Sequence, residues 1–188
     1  GEEVTLGLRQ QNFFQEKSDV YGVIWTGAGG FGDPLDRLPK AVLHDVVENL
    51  AVSQAAAKQI YGVVIKNDKL DTKGTETLRE KMRVTRRAQR HVSQKNFKPG
   101  LPVTTELVRQ VTAKLAVRKA PKGERVKRWC CAGCSTDLGP LTDNYKLGCA
   151  RVDAPIASAN PNVGDWKRYV DQKPIFRQFF CPACGNLI

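Results

Sequence analysis

The sequence of 188 residues has no apolar run of about 18 residues, the length that a membrane-spanning helix requires. It also lacks a secretory signal, because it begins Gly-Glu-Glu instead of with basic and then apolar residues. We therefore expect a cytoplasmic protein with no membrane partner. The first residue is Gly and not Met, which favours a processed product or the C-terminal part of a longer polypeptide.

Cysteine is missing from the first 129 residues, and histidine is scarce throughout. The two histidines, His44 and His91, fall on separate predicted helices, and we expect both at the surface. No Ser or Cys has a His and an acid that the sequence would place beside it, so no catalytic residue is predicted. The chemistry of any enzyme that contains this chain is expected upstream or in other chains.

The net charge of +11 is concentrated in one part of the chain. Residues 73–128 hold 17 Lys and Arg against 4 Asp and Glu, whereas residues 1–72 are net acidic. Such a segment can bind nucleic acid, but a solvated linker or a contact with an acidic partner is more common. Phe97 is its one aromatic residue, so no stacking platform for single strands is predicted and nucleic-acid binding is not favoured.

The hydrophobic patterns predict an α+β fold. Alternating and β-branched residues predict strands at 2–8, 19–26 and 63–65, the last followed by a turn at Asn67-Asp68. Helices are predicted after Asp36 with Pro39 in the first turn, from Ser53 to Tyr61, and from Asp71 or Thr72 to about Arg90. A fourth helix is predicted from Thr105 to about Val117, because Leu107, Val108, Val111 and Leu115 would line one face. The first part is thus expected to be mostly helical.

Two Cys-x-x-Cys pairs, 46 residues apart, predict a structural zinc site formed by Cys131, Cys134, Cys181 and Cys184. Gly133 and Gly185 are expected to ease the tight backbone of the two turns, called knuckles below. A redox dithiol would need a thioredoxin-like context that is absent, and iron–sulfur ligation is not favoured. Cys130 adjoins Cys131 and competes with it as first ligand, whereas Cys149 is expected in the core.

A glycine-rich run precedes the first helix and holds the weak candidates for cofactor binding, Gly29, Gly30, Gly32 and Asp33. Glycines before a helix are typical of phosphate sites, but no Gly-Lys-Ser/Thr follows, and the Gly-x-Gly-x-x-Gly pattern is missing. A tight turn or close packing is the favoured interpretation, and the alternative is a loop that borders the active site of an assembled enzyme.

Residues 22–90 contain a specific order of motifs, namely Gly29–Arg37, Val46, Val52–Ser53, Ala55–Ala56 and Tyr61–Val64. Through these motifs they resemble the C-terminal end of hydantoinase B-type subunits, a family that includes the large subunits of ketone carboxylases. Residues 129–188 resemble the small zinc-binding subunit of acetone carboxylase through Trp129, the cysteine pairs, Asp137, Asn144–Leu147 and Phe179–Gly185. The two resemblances imply three parts: a hydantoinase B-like segment (1–91), a basic linker with a helix (92–128) and a small β-rich, zinc-ribbon-like module (129–188).

Both resemblances in one chain point to a biotin-independent, ATP-dependent carboxylase of the acetone and acetophenone type. They imply a hetero-oligomer with a hydantoinase A-like ATP-binding subunit and the remainder of a hydantoinase B-like subunit. ATP and a divalent metal are expected in those other parts. The chain alone is then expected to be inactive and to contribute assembly and structural Zn²⁺. The alternatives are a subunit of an ATP-dependent amidohydrolase (hydantoinase- or oxoprolinase-like), a nucleic-acid-binding zinc ribbon, or a pure scaffold subunit.

Overall fold

The computed structural model describes residues 3, 4, 6, 11–22, 31–88, 100–158 and 165–188. Residues 1–30 and residues 31–188 form two compact units. In the first unit, residues 11–22 contain no helix or strand, so the strand predicted at 19–26 does not form over residues 19–22. Its remainder and most of the strand predicted at 2–8 lie outside the described residues. None of the helices in the described ranges could span a membrane.

The second unit combines helices with small antiparallel sheets, which confirms the predicted α+β class. The elements in chain order are α1 (Pro39–Val47), α2 (Gln54–Gln59), β1 (Ile65–Lys66), β2 (Lys69–Leu70), α3 (Thr72–Ala88), β3 (Leu107–Gln110), β4 (Leu115–Arg118), β5 (Arg128–Cys131), β6 (Asp137–Pro140), β7 (Ala150–Pro155) and β8 (Ile175–Phe180). The strands pair as β1-β2, as a four-stranded sheet β3-β4-β5-β6, and as β7-β8.

Helices α1 and α2 form where the sequence predicts them, with one difference at the first cap. Pro39 is the first residue of α1, but Leu38 precedes it and no side chain caps the helix, so the predicted cap by Asp36 is wrong. Asp36 instead ends a short 3-10 turn, Pro34–Asp36. Ser53 caps α2 as predicted, since its hydroxyl accepts a hydrogen bond from the backbone N–H of Ala56.

A tight hairpin joins α2 to α3. Asn67 and Asp68 have φ values of 48° and 55°, so the predicted turn is confirmed and takes the left-handed conformation that these residues tolerate. The first strand is Ile65–Lys66 and not the predicted 63–65. Asp71 accepts a hydrogen bond from the N–H of Gly74 at the start of α3. The predicted end of this helix near Arg90, and His91, lie outside the described residues.

The helix predicted from Thr105 to Val117 is wrong, because this segment forms the β3–β4 hairpin. Two signals compete here. The apolar residues match helical spacing, but the Thr112 hydroxyl accepts from the N–H groups of Lys114 and Leu115 and closes a turn. Strand β4 then pairs with β5, which the local pattern cannot reveal. A mostly helical first part is also not supported, since residues 11–22 carry no helix.

The C-terminal part is β-rich, as predicted. Its core is formed by Leu115, Leu138 and Cys149, against which pack Trp129, Tyr145, Phe179 and Ile188. Leu115 belongs to β4, within the segment predicted to be a linker, and is 3% exposed. The β3–β4 hairpin therefore shares one sheet and one core with residues beyond 128.

Candidate metal centre

The two Cys-x-x-Cys knuckles have the same backbone design. Strand β5 ends at Cys131, and β8 ends immediately before Cys181. In the first knuckle, Ser135 N–H donates to the Cys131 carbonyl at 2.8 Å. In the second, Gly185 N–H donates to the Cys181 carbonyl at 2.9 Å. Each pair of cysteines is thus held on a closed turn that directs both sulfurs to one side.

The glycines of the knuckles act in two different ways. Gly185 has a φ of 74°, the left-handed conformation that favours glycine, in agreement with its predicted role. The matching residue of the first knuckle is Ser135, with a φ of 60°. Gly133 has no left-handed φ; a Cβ there would lie 2.7 Å from the side-chain nitrogen of Asn186. Gly133 therefore allows the second knuckle to approach closely.

The four predicted cysteines lie together. Their sulfur atoms are all within 4.8 Å of one another. Cys131 Sγ is 3.7 Å from Cys184 Sγ, and Cys134 Sγ is 3.5 Å from Cys181 Sγ. Four sulfurs at the Zn–S bond length of about 2.3 Å around a tetrahedral ion would be about 3.8 Å apart. The donor set and spacing therefore fit one tetrahedral metal ion such as zinc.

The pKa values of the clustered cysteines are shifted by their contacts with one another. Hydrogen bonds with Cys181 and Cys184 hold the pKa of the Cys131 thiol well below its usual range, and the N–H groups of Cys134 and Gly133 act in the same direction. Hydrogen bonds with Cys131 and Cys181, together with burial, raise the pKa of the Cys184 thiol. The lowered pKa of Cys131 favours its thiolate form, which is the form that binds a metal ion.

The other two cysteines are directed elsewhere. Cys130 is fully buried, and its sulfur faces the carbonyl of Arg128 at 3.8 Å, because neighbouring residues of a strand point to opposite faces. Burial raises the pKa of Cys130 to about 11 and that of Cys149 to about 12. Cys149 packs in the core, as expected. The structure therefore brings Cys131, and not Cys130, to the cluster.

Of the glycine-run candidates, Gly29 and Gly30 lie outside the described residues. Gly32 has a φ of 76°, and a Cβ there would meet no atom within 4 Å. The carboxylate of Asp33 is fully buried and lies 2.7 Å from the guanidinium of Arg86. His44 is exposed, as expected, with its Nδ1 atom 3.0 Å from Glu48. Whether the glycine run borders a catalytic site stays a hypothesis.

Sequence reasoning missed Arg86, which contacts the second knuckle. Its Nη1 atom donates to Asp33 Oδ2 at 2.7 Å and to the carbonyl of Gly185 at 3.4 Å. Its guanidinium carbon also lies 4.9 Å from the ring centroid of Phe180. No local pattern marks this residue, because its partners are 53 and 99 positions away in the chain.

A family model matches the part of the chain that contains this cluster. Residues 101–188, slightly less than half of the chain, match the family model of the acetone carboxylase gamma subunit. The match contains all four clustered cysteines and begins before β3. It does not extend to residues 22–90, so the predicted hydantoinase B-like segment stays a prediction. No curated protein shows significant similarity to the chain. The C-terminal part of the chain is thus similar to the gamma subunit of acetone carboxylase.

Proposed function

We propose that the chain is a component of a multisubunit ATP-dependent ketone carboxylase similar to acetone carboxylase. One observation carries this proposal: the gamma-subunit match covers residues 101–188 and encloses the four-cysteine cluster. The gamma-like module would then begin near residue 101, with the β3–β4 hairpin, and not at residue 129. In this assignment, the chain carries a gamma-like part and the hydantoinase B-like segment on one polypeptide.

The role proposed for the metal is structural zinc. All four tetrahedral positions would be filled by cysteine sulfurs, two of them fully buried, so no position is left for water or substrate. The ion would crosslink the turn after β5 to the turn after β8, which are 46 residues apart in sequence. It would thereby hold the β3–β6 sheet against the β7–β8 hairpin.

The reaction is assigned to other parts of the complex. Among the described residues, the cysteine cluster is the one group of three or more His, Cys, Asp or Glu side chains placed to hold a metal. ATP and a second, divalent metal are therefore proposed to bind a hydantoinase A-like subunit and the rest of a hydantoinase B-like subunit. We place this assembly in the cytoplasm. The carboxylase is preferred to an amidohydrolase because the family that matches is a carboxylase subunit.

A nucleic-acid-binding zinc ribbon is less well supported, because several cations of the basic segment already contact carboxylates. Arg86 contacts Asp33 and Arg128 contacts Asp137, both within 2.7 Å. The further pairs are Arg83–Asp36, Arg87–Glu80, Lys114–Asp36 and Lys119–Glu106. These contacts reduce the positive field available to a polyanion.

The experiment is affinity purification of the native complex through a tag on this chain. We expect an ATP-binding, hydantoinase A-like subunit to copurify, and the complex to carboxylate a simple ketone with bicarbonate only when ATP is present. The purified chain alone should contain one zinc per chain and be inactive. A matched chain that ends at residue 100 lacks the gamma-like module, so it should lose the contacts that this module makes within the complex. Copurification with nucleic acid and no carboxylase subunit would contradict the proposal.

A further inference from the structure

Helix α3 rests on the second knuckle, and Arg86 lies at the centre of this contact. Its side chain is 15% exposed and contacts three groups at once: the carboxylate of Asp33, the ring of Phe180 and the carbonyl of Gly185. Phe180 and Gly185 are the immediate neighbours of the clustered residues Cys181 and Cys184. The guanidinium of Arg86 therefore touches both ends of the turn that presents these two sulfurs.

Asp33 connects the same knuckle, through hydrogen bonds, to the start of the 31–88 segment. Its Oδ2 atom accepts from Arg86 and also from the backbone N–H of Leu187 at 3.0 Å. Its Oδ1 atom accepts from the N–H of Leu35 at 3.0 Å. The carboxylate is fully buried, yet three donors satisfy it. These bonds require Leu187, three residues after Cys184, to be in one fixed position.

Backbone packing reinforces the contact. A Cβ at Gly185 would lie 2.7 Å from the carbonyl oxygen of Arg83, so α3 and the knuckle approach as closely as a glycine permits. Asp36 adds two ion pairs, with Arg83 on α3 at 3.2 Å and with Lys114 of the β3–β4 hairpin at 2.5 Å. The 31–88 segment thus contacts both the knuckle and the sheet.

We propose that metal binding by the four cysteines is coupled to the docking of residues 31–88, with Arg86 and Asp33 as the positioning residues. This inference rests on the metal centre proposed above. A metal fixes the backbone of Cys181–Cys184, and that backbone sets the positions of Phe180, Gly185 and Leu187 that Arg86 and Asp33 contact. Since binding free energies are reciprocal, docking of the segment strengthens metal binding by the same factor by which the metal strengthens docking.

The test compares two arginines on the same helix in the full chain. Arg86→Met removes the contact with the knuckle, whereas Arg87→Met removes an exposed pair with Glu80. We expect Arg86→Met to weaken zinc binding about tenfold in competition with a chelating dye, as loss of an outer-shell partner commonly does. Arg87→Met should bind zinc like the wild type. If Arg86→Met does not fold, Asp33→Asn takes its place, because this substitution keeps the size of the side chain. Asp33→Asn should also weaken zinc binding.

Hydrogen exchange supplies a second measurement that does not depend on enzyme activity. Removal of zinc from the wild type should speed amide exchange in α3 and at residues 33–37, and in Arg86→Met the exchange of α3 should no longer respond to zinc. Two results would overturn the coupling but not the proposed metal centre. These are equal zinc affinity of the two arginine variants, or amide exchange in α3 of the wild type that does not change when zinc is removed. A wild-type chain that binds no metal would overturn the coupling together with the proposed centre.

Discussion

At the scale of single residues, two neighbouring cysteines have different environments. Cys131 Sγ lies 3.7 Å from Cys184 Sγ, whereas Cys130 faces a backbone carbonyl on the opposite side of β5. The alternation of side chains along a strand is what separates them. Sequence spacing alone left the choice of first ligand open, because both residues precede Cys134 at plausible distances.

The first prediction tests this difference. Cys131→Ala should abolish stoichiometric metal binding, because three thiolates do not complete the shell. Cys130→Ala should keep one metal per chain and lose only some stability through the small cavity that it leaves. Native mass spectrometry of the two purified variants measures both outcomes. Metal loss in Cys130→Ala with retention in Cys131→Ala would show that the ligand assignment is wrong.

The second prediction concerns the pH dependence that Asp33 contributes. Burial alone would raise the pKa of this carboxyl, but hydrogen bonds from Arg86, Leu187 and Leu35 outweigh it and leave the pKa below 3.8. A lowered folded-state pKa stabilises the fold above the unfolded pKa of about 3.9, and this stabilisation is lost as the pH falls through the folded value.

The stability difference between wild type and Asp33→Asn should therefore stay constant from pH 7 down to about pH 5 and narrow only below that. Denaturant unfolding of both chains at each pH measures it, with a chelator present throughout so that metal binding does not enter the difference. Glu80→Gln, which removes an exposed partner on α3, serves as the control and should show little difference at any pH. A stability difference between wild type and Asp33→Asn that disappears near pH 6 would rule out a lowered pKa of Asp33.

At the scale of elements, some parts of the structure follow from local sequence and others do not. The Ser53 cap, the Asn67-Asp68 turn and both knuckles are encoded by residues within five positions of one another. The β3–β4 hairpin is not, because β4 is fixed by pairing with β5, where Leu115 lies opposite Cys131. The contact between α3 and the second knuckle depends on Asp33, Arg86 and Leu187, which are far apart in sequence. Local patterns therefore predicted which cysteines cluster but not which residues support the cluster.

The third prediction separates backbone conformation from packing at the α3 contact. Gly185 and Gly123 both have left-handed φ values, 74° and 91°, but only at Gly185 would a Cβ meet the backbone of α3. A left-handed non-glycine residue costs about 1–2 kcal/mol, so both Gly→Ala variants should lose that amount. Gly185→Ala should lose more, because α3 must also move away. Thermal unfolding compares the two, and equal losses would mean that the close approach contributes nothing.

At the scale of the whole molecule, the uneven charge is partly neutralised within the fold. The basic segment supplies Arg83, Arg86 and Lys114 to carboxylates of Asp33 and Asp36, which belong to the net acidic first part. The sequence showed the uneven charge, but it left nucleic acid, solvent and an acidic partner possible as the surroundings of the basic segment. In the structure, the Lys114–Asp36 pair joins the 31–88 segment to the β-rich region, whereas the other two pairs lie within the segment. Composition could not reveal this, since it does not say which charges meet.

The final prediction tests where the gamma-like module begins. A fragment of residues 129–188 has both knuckles but lacks β4, whose four residues pair with β5 and whose Leu115 is buried in the core. A fragment of residues 100–188 keeps the whole four-stranded sheet and the region that matches the family model. We expect the longer fragment to fold and to bind one zinc, more weakly than the full chain because Asp33 and Arg86 are absent. The shorter fragment should stay largely unfolded even with excess zinc.

Circular dichroism and zinc titration of the two fragments measure these outcomes. Since Leu115 packs against Leu138 and Cys149, Leu115→Ala in the longer fragment is a matched test of the same contact. It should lower the stability of that fragment by about 2–5 kcal/mol, the usual range for a buried leucine. Equal folding and zinc affinity of the two fragments would instead place the start of the module near residue 129, and β3–β4 would then be an appended hairpin. A folded longer fragment beside an unfolded shorter one would make the β3–β4 hairpin an integral part of the metal-binding module.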